Sequence, residues 1–169
     1  AAATLAIGIV AAAPARAGQF NLEDTASILN VVELGKVSLR GNIGPAGYNA
    51  ASTVQTSGFA KLFDDTRISA ASAGAVSPAG LSWSSYSLTH AYAKKHRNTA
   101  MTRTGAGVTA KIIPAYGNMG LPPATPAQQA GARDPVSTMA ELGHSVAASG
   151  KCAGVFAVFD GKQDYTLTL

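Results

Sequence analysis

The fold is decided by the stretch from Asp134 to Leu169, DPVSTMAELGHSVAASGKCAGVFAVFDGKQDYTLTL. Asp134-Pro135 opens a helix, because a carboxylate there can accept from free backbone N–H groups and proline is tolerated at the first helical position. Val136, Met139, Leu142 or Gly143, and Val146 recur at helical spacing, and Gly150 can take the left-handed conformation that stops a helix. One short helix is therefore expected near 135–149. Beyond it, Val155, Phe156, Val158 and Phe159 lead into Asp160-Gly161, and Tyr165, Leu167 and Leu169 then alternate with Asp164, Thr166 and Thr168. An apolar strand, Asp-Gly and an alternating strand make a β-hairpin, with Lys162 and Asp164 at its tip or wet face.

Cys152, the only cysteine, directly precedes this hairpin. No adjacent residue offers it a base, although the distant His144 could. A structural disulfide to a cysteine outside this sequence, a free thiol and a reactive thiol all remain open, with the disulfide leading.

Upstream, the composition from Pro114 to Arg133 turns to Pro, Gly, Ala and Gln, and reads as a rigid, extended surface loop. What precedes it is strand-like. Phe20 to Ile43 reads as a hairpin or pair of strands with Gly35-Lys36 as a turn, and Met101 to Ile113 offers a further strand, with Val108, Ala110 and Ile112 on one face, after the Gly105-Ala106-Gly107 turn. Leu81, Trp83, Tyr86 and Leu88 fit a half-buried strand whose phase slips between Trp83 and Tyr86, as a β-bulge would cause. Phe59, Leu62 and Phe63 would share a face at helical spacing, in a single turn or a bent strand. Core packing is the plain reading of that trio; a lipid-facing or ligand-facing cluster is the functional one.

Chemistry-bearing residues are sparse. Asp64 and Asp65 are adjacent and would point to opposite faces of a strand, which suits neither acid–base work nor a shared metal. His90, His96 and His144 lack a short ligand spacing, so neither a metal nor another cofactor is expected. The glycines near Gly105 precede a strand and open no helix, so they are no phosphate cradle. The formal charge of +4 is spread along the chain apart from Lys94, Lys95, His96 and Arg97, which argues against nucleic acid.

Residues 1–17, AAATLAIGIVAAAPARA, form an apolar run too short to span a bilayer and ending in small residues, the pattern of an export signal cleaved after Ala17. The remainder, 18–169, is the size of one β-rich domain, and no other run approaches transmembrane length.

Taken together, Gly58-Phe59-Ala60-Lys61-Leu62-Phe63-Asp64-Asp65, the loop around Pro122-Pro123, Asp134-Pro135-Val136-Ser137, Cys152, and Val158-Phe159-Asp160-Gly161-Lys162-Gln163-Asp164-Tyr165-Thr166-Leu167 resemble the uncharacterised bacterial envelope family catalogued as domain of unknown function 3108. The likeness runs from about Phe20 to Leu169. It implies a periplasmic protein of antiparallel strands in a strongly curved sheet, a spiral or open barrel. It also implies further strands beyond Leu169 and a second cysteine downstream to pair with Cys152, so the domain is expected to be truncated here. Where members usually carry arginines after Phe-Asp-Gly, this chain has Lys162 and Gln163. The family assigns no catalytic or binding residue that could be carried over.

The leading expectation is a non-enzymatic periplasmic binding or structural module, with Phe59, Phe63 and Trp83 as candidates for contact with a lipid, another apolar ligand or an envelope protein. Asp134, Pro135, Cys152, Asp160 and Gly161 are expected to be structural. One alternative is an envelope hydrolase using Asp64, Asp65, His144 or Cys152. Another is an accessory subunit whose open sheet edge is covered by another chain. A mass spectrum of the native protein with and without reduction should show a mature start at Gly18 and a gain of two hydrogens as the Cys152 bridge is reduced; an intact residue 1 would refute the export reading.

Overall fold

The computed structural model describes residues 18–28 and 32–169, so the export-signal expectation for residues 1–17 lies outside the described residues. The chain is mainly β. Seven strands form one antiparallel sheet in sequence order: β1 (Gly18–Ile28), β2 (Val32–Gly44), β3 (Gly47–Thr56), β4 (Thr66–Ser77), β5 (Gly80–Tyr92), β6 (Lys95–Thr104) and β7 (Gly107–Ile113). Helices α1 (Pro126–Gly131) and α2 (Pro135–Ser149) follow, and then β8 (Val155–Phe159) pairs with β9 (Asp164–Thr168) as a separate hairpin.

Such a meander follows from period-two patterning and short turns. Tyr48, Ala50 and Ser52 are buried while Asn49 is exposed, and Leu81 and Trp83 are buried while Ser82 and Ser84 are exposed. The expected phase slip is present: Ala73 pairs with Ser85 and Gly74 with Trp83, so Ser84 is the extra residue of a bulge. That bulge returns both Trp83 and Tyr86 to the buried face. Gly58–Leu62 is a single 3-10 turn between β3 and β4.

Several expectations are corrected. Where a strongly curved spiral or open barrel is expected, the sheet is not strongly curled or closed, and its end strands β1 and β7 do not pair with each other. Gly35-Lys36 is not a turn but lies inside β2, opposite Ala26 and Thr25. Glycine is needed there for another reason, since a Cβ on Gly35 would stand 2.9 Å from the Gln55 carbonyl oxygen. The proline-rich segment is not wholly extended. It contains α1, whose Thr125 and Gln128 form a reciprocal capping box. The segment is also pinned to the sheet, because Arg97 donates to the Pro114 carbonyl at 2.9 Å and lies over the Tyr116 ring at 3.8 Å.

Helix α2 spans the expected residues, with Asp134 as N-cap, Pro135 in its first turn and Gly150 closing it at φ 69°. Its buried face is different from the one the apolar spacing suggested. Val136, Ser137, Thr138 and Ala140 are buried, while Gly143 is exposed. Small and hydroxylated residues face the sheet because the buried polar end of the helix, not an apolar stripe, sets the contact.

The core lies between this face of the sheet and the helices and hairpin. Trp83, Met101, Val136 and Val158 are its most enclosed apolar side chains. Arg133 joins the hairpin to the helical layer, donating to the Ala157 carbonyl and accepting from the Phe159 N–H, both at 2.8 Å. Met101→Ala should cost about 2–5 kcal/mol in chemical denaturation, the range for deleting a fully buried large side chain. Gly74→Ala should cost about 1–3 kcal/mol although it adds only a methyl, since that Cβ would stand 2.7 Å from the Trp83 Cα inside the bulge. A neutral Gly74→Ala would refute this account of the bulge.

Candidate binding face

The two faces of the seven-stranded sheet differ in kind. On the covered face the organising group is Asp134, with no solvent exposure. Its Oδ1 accepts from the backbone N–H of Val136 and of Ser137, both at 2.9 Å. Its Oδ2 accepts from the hydroxyls of Ser137 and of Ser72 on β4, the latter at 2.8 Å, and Ser72 in turn meets the Tyr48 hydroxyl of β3 at 3.2 Å. A helix cap is thereby continued into the sheet. Burial pushes the Asp134 carboxyl above its ordinary value, opposed by the hydrogen bonds from Ser137, Ser72 and Val136. Burial likewise raises the Tyr48 and Tyr86 phenols, so both stay neutral, and the buried Tyr86 hydroxyl has no hydrogen-bond partner among the described residues.

Around this latch the covered face is filled. Trp83, 2% exposed, donates its indole N–H to the Ala132 carbonyl at 3.0 Å. Arg103 donates to the Ala130 carbonyl and sits over the Trp83 ring at 5.5 Å. Glu141 of α2 accepts from the Leu81 N–H at 2.6 Å. At the hairpin, Asp160 Oδ1 accepts from the Lys162 and Gln163 N–H groups, both at 2.8 Å. Gly161 has φ 96°, and a Cβ there would stand 2.8 Å from Thr99 Cγ2, so glycine serves both the turn and its contact with β6.

The opposite face carries an open groove of about 920 Å³ over β1 to β5. The strand registers lay out its floor as lateral rows. One row runs Gln19, Asn42, Asn49, Ala73 and Ser85; the next runs Asn21, Arg40, Ala51, Ala71 and Ser87. Neighbouring side chains in a row stand about 4.8 Å apart. Amides and the single guanidinium of Arg40 gather at the β1–β3 end, and short Ala and Ser side chains make the β3–β5 floor. Such a surface can hydrogen-bond a ligand along one side while letting a flat or extended group lie close against the other.

The three residues expected to bind are not brought together. Trp83 is in the core, opposite Gly74 near one end of β4, whereas Phe63, 78% exposed, lies just before Thr66 at the other end. Eight residues of extended strand separate those positions, roughly 26 Å. The side chain of Phe59 lies outside the described residues. The groove residues were missed because they are small or polar, and only the register shows that they share a face.

The candidate hydrolase residues are also dispersed. Asp64 accepts from the Thr66 hydroxyl, and Asp65 pairs with Lys61, in the exposed turn before β4. His144 is on α2, and Cys152 is exposed in the link to β8. As the only cysteine, Cys152 makes no disulfide within this chain. Among the described residues, no group of three His, Cys, Asp or Glu side chains could hold a metal ion, and no helix is long and apolar enough to cross a membrane.

The latch has a pH signature. A carboxyl raised in the folded state favours folding most below its unfolded value near 3.8, and that contribution is lost as pH rises through the folded value. Stability of the parent should therefore carry a downward component across that window that Asp134→Asn lacks, measured as the difference between their denaturation free energies against pH. Asp134→Ala should cost about 3 kcal/mol, because the helix cap and two buried hydroxyls lose their acceptor. Identical pH profiles for the parent and Asp134→Asn would refute the assignment. No protein-family model, curated protein or solved structure matches this chain.

Proposed function

We propose that this chain is a non-enzymatic binding module of the bacterial envelope that takes its ligand on the open face of the sheet. The observation that carries the reading is the asymmetry of the two faces. One is sealed by α1, α2 and the hairpin around a satisfied polar latch, while the other presents a groove of about 920 Å³ whose floor is paved with short side chains and edged with amides. Binding sites commonly combine a close-fitting floor with a few polar groups that fix orientation.

The chemistry of the lining narrows the occupant. Ala51, Ala71 and Ala73 accept a flat apolar body at close range, and Asn42, Asn49 and Arg40 can hold a polar or anionic edge beside it. An amphipathic envelope lipid, with an acyl part on the alanines and a polar head at the amides, fits this division. The periplasmic setting is supported by the signal-like run before Gly18 and by the resemblance to the envelope family described above. In that setting the exposed thiol of Cys152 would serve a disulfide with a cysteine outside this sequence.

Ala71→Trp fills the middle of the floor without touching the covered face. Protein secreted to the periplasm and examined by native mass spectrometry should carry a lipid adduct in the parent and in Phe63→Ala, and lose at least about nine-tenths of it in Ala71→Trp, the loss expected when about 1.4 kcal/mol or more of binding is removed. An adduct that survives Ala71→Trp and disappears in Phe63→Ala would move the site to the exposed turn before β4. No adduct in the parent would overturn the lipid reading.

A further inference from the structure

We propose that the free edge of β1 is a self-association surface on which a second copy of this chain adds its own β1 in antiparallel fashion. This goes beyond the ligand reading and stands or falls apart from it. Among the described residues, no strand pairs the outer edge of β1. The other end of the sheet is treated differently: β7 packs beside α1, and Ile113 is followed directly by Pro114, which has no N–H to continue a ladder. From Gly18 to Asp24, β1 carries neither Pro nor Lys, the residues that most often blunt an edge, and its bulge comes only at Ala26/Ser27.

The sequence of β1 chooses both the partner and the register. A two-fold axis perpendicular to the sheet keeps each face aligned, so paired residue numbers must sum to an even value. Centring the axis on Glu23 or Asp24 places a carboxylate against its own copy, and centring it on Leu22 places Asp24 against Phe20. Centring it on Phe20 or Asn21 meets neither difficulty, but a centre on Phe20 leaves the exposed Leu22 opposite Gly18, whereas a centre on Asn21 gives it an apolar partner. Phe20 then faces the second copy's Leu22, Gln19 can donate to its Glu23, and the two Asn21 amides meet on the axis.

That register also accounts for Leu22, which is 56% exposed on the same face as the core. An aromatic–aliphatic cross-strand pair with Phe20 would cover it. On the other face the amide rows of the two copies would run together, Arg40 and Asn21 of one chain continuing into Asn21 and Arg40 of the other. The two grooves would then share one trough.

The test exploits the register. On a Cys152→Ser background, Asn21→Cys places two thiols directly opposite across the axis, about 5 Å apart between Cα atoms and within disulfide reach. Glu23→Cys places them about 13 Å apart along the strands and out of reach. Mild oxidation should convert the Asn21→Cys protein to a covalent homodimer and leave the Glu23→Cys protein monomeric. Sedimentation equilibrium of the parent should show twice the chain mass with rising concentration, and Leu22→Lys should weaken that association at least tenfold with unchanged circular dichroism. A parent that stays monomeric, equal cross-linking at both positions, or an Asn21→Cys adduct with a different chain would each overturn the proposal.

Discussion

A carboxylate with no solvent exposure joins the two layers of this protein. Asp134 does at once what a helix N-terminus and a sheet surface each require: it accepts the first free N–H groups of α2 and the hydroxyls of Ser137 and Ser72. Removing a charge from water is costly unless its lone pairs are filled, and here four donors fill them. The geometry is correspondingly restrictive. With α2 anchored at Ser72 and held again where Glu141 meets the Leu81 N–H, the helix has one place on the sheet and one direction across it.

That placement determines the rest of the architecture. Because the anchor is polar and short, the helix approaches through Ser137, Thr138 and Ala140 rather than through large apolar residues. The volume left on either side is filled from the sheet by Trp83, Tyr86 and Met101 and from the hairpin by Phe159. The bulge at Ser84 lets β5 deliver Trp83 and Tyr86 to the same covered face, and Gly74 makes room for it on β4. One side of the sheet is consumed in this way, and the other is left with residues too small or too polar to build a second layer.

The consequence for function is a division of labour between faces. Large aromatic residues, which composition alone would nominate for binding, are mostly spent on the covered side; Trp83 and Tyr86 are interior groups. The open side offers amides, a guanidinium and a paved floor of alanine and serine over several adjacent strands. A surface of this kind has its chemistry in the arrangement of modest groups, and arrangement is a property of the register.

The sequence by itself determined the local events. Asp134-Pro135 announced the cap and first turn of α2, Gly150 its end, Asp160-Gly161 the hairpin turn, and the slip between Trp83 and Tyr86 the bulge, because each depends on neighbours within a few residues: a capping carboxylate, a proline φ, a glycine at positive φ, a broken period of two. Only the tertiary structure decided that the sheet stays open, that Gly35 belongs inside a strand, that α2 buries its hydroxyl face and that Trp83 and Phe63 are far apart. It alone assembled the groove. Those outcomes rest on pairings between residues distant in sequence, such as Ser72 with Asp134 and Asn42 with Asn49 and Gln19. A strand shifted by one residue would exchange the faces while keeping every local signal intact, which is why the local pattern could not choose between them.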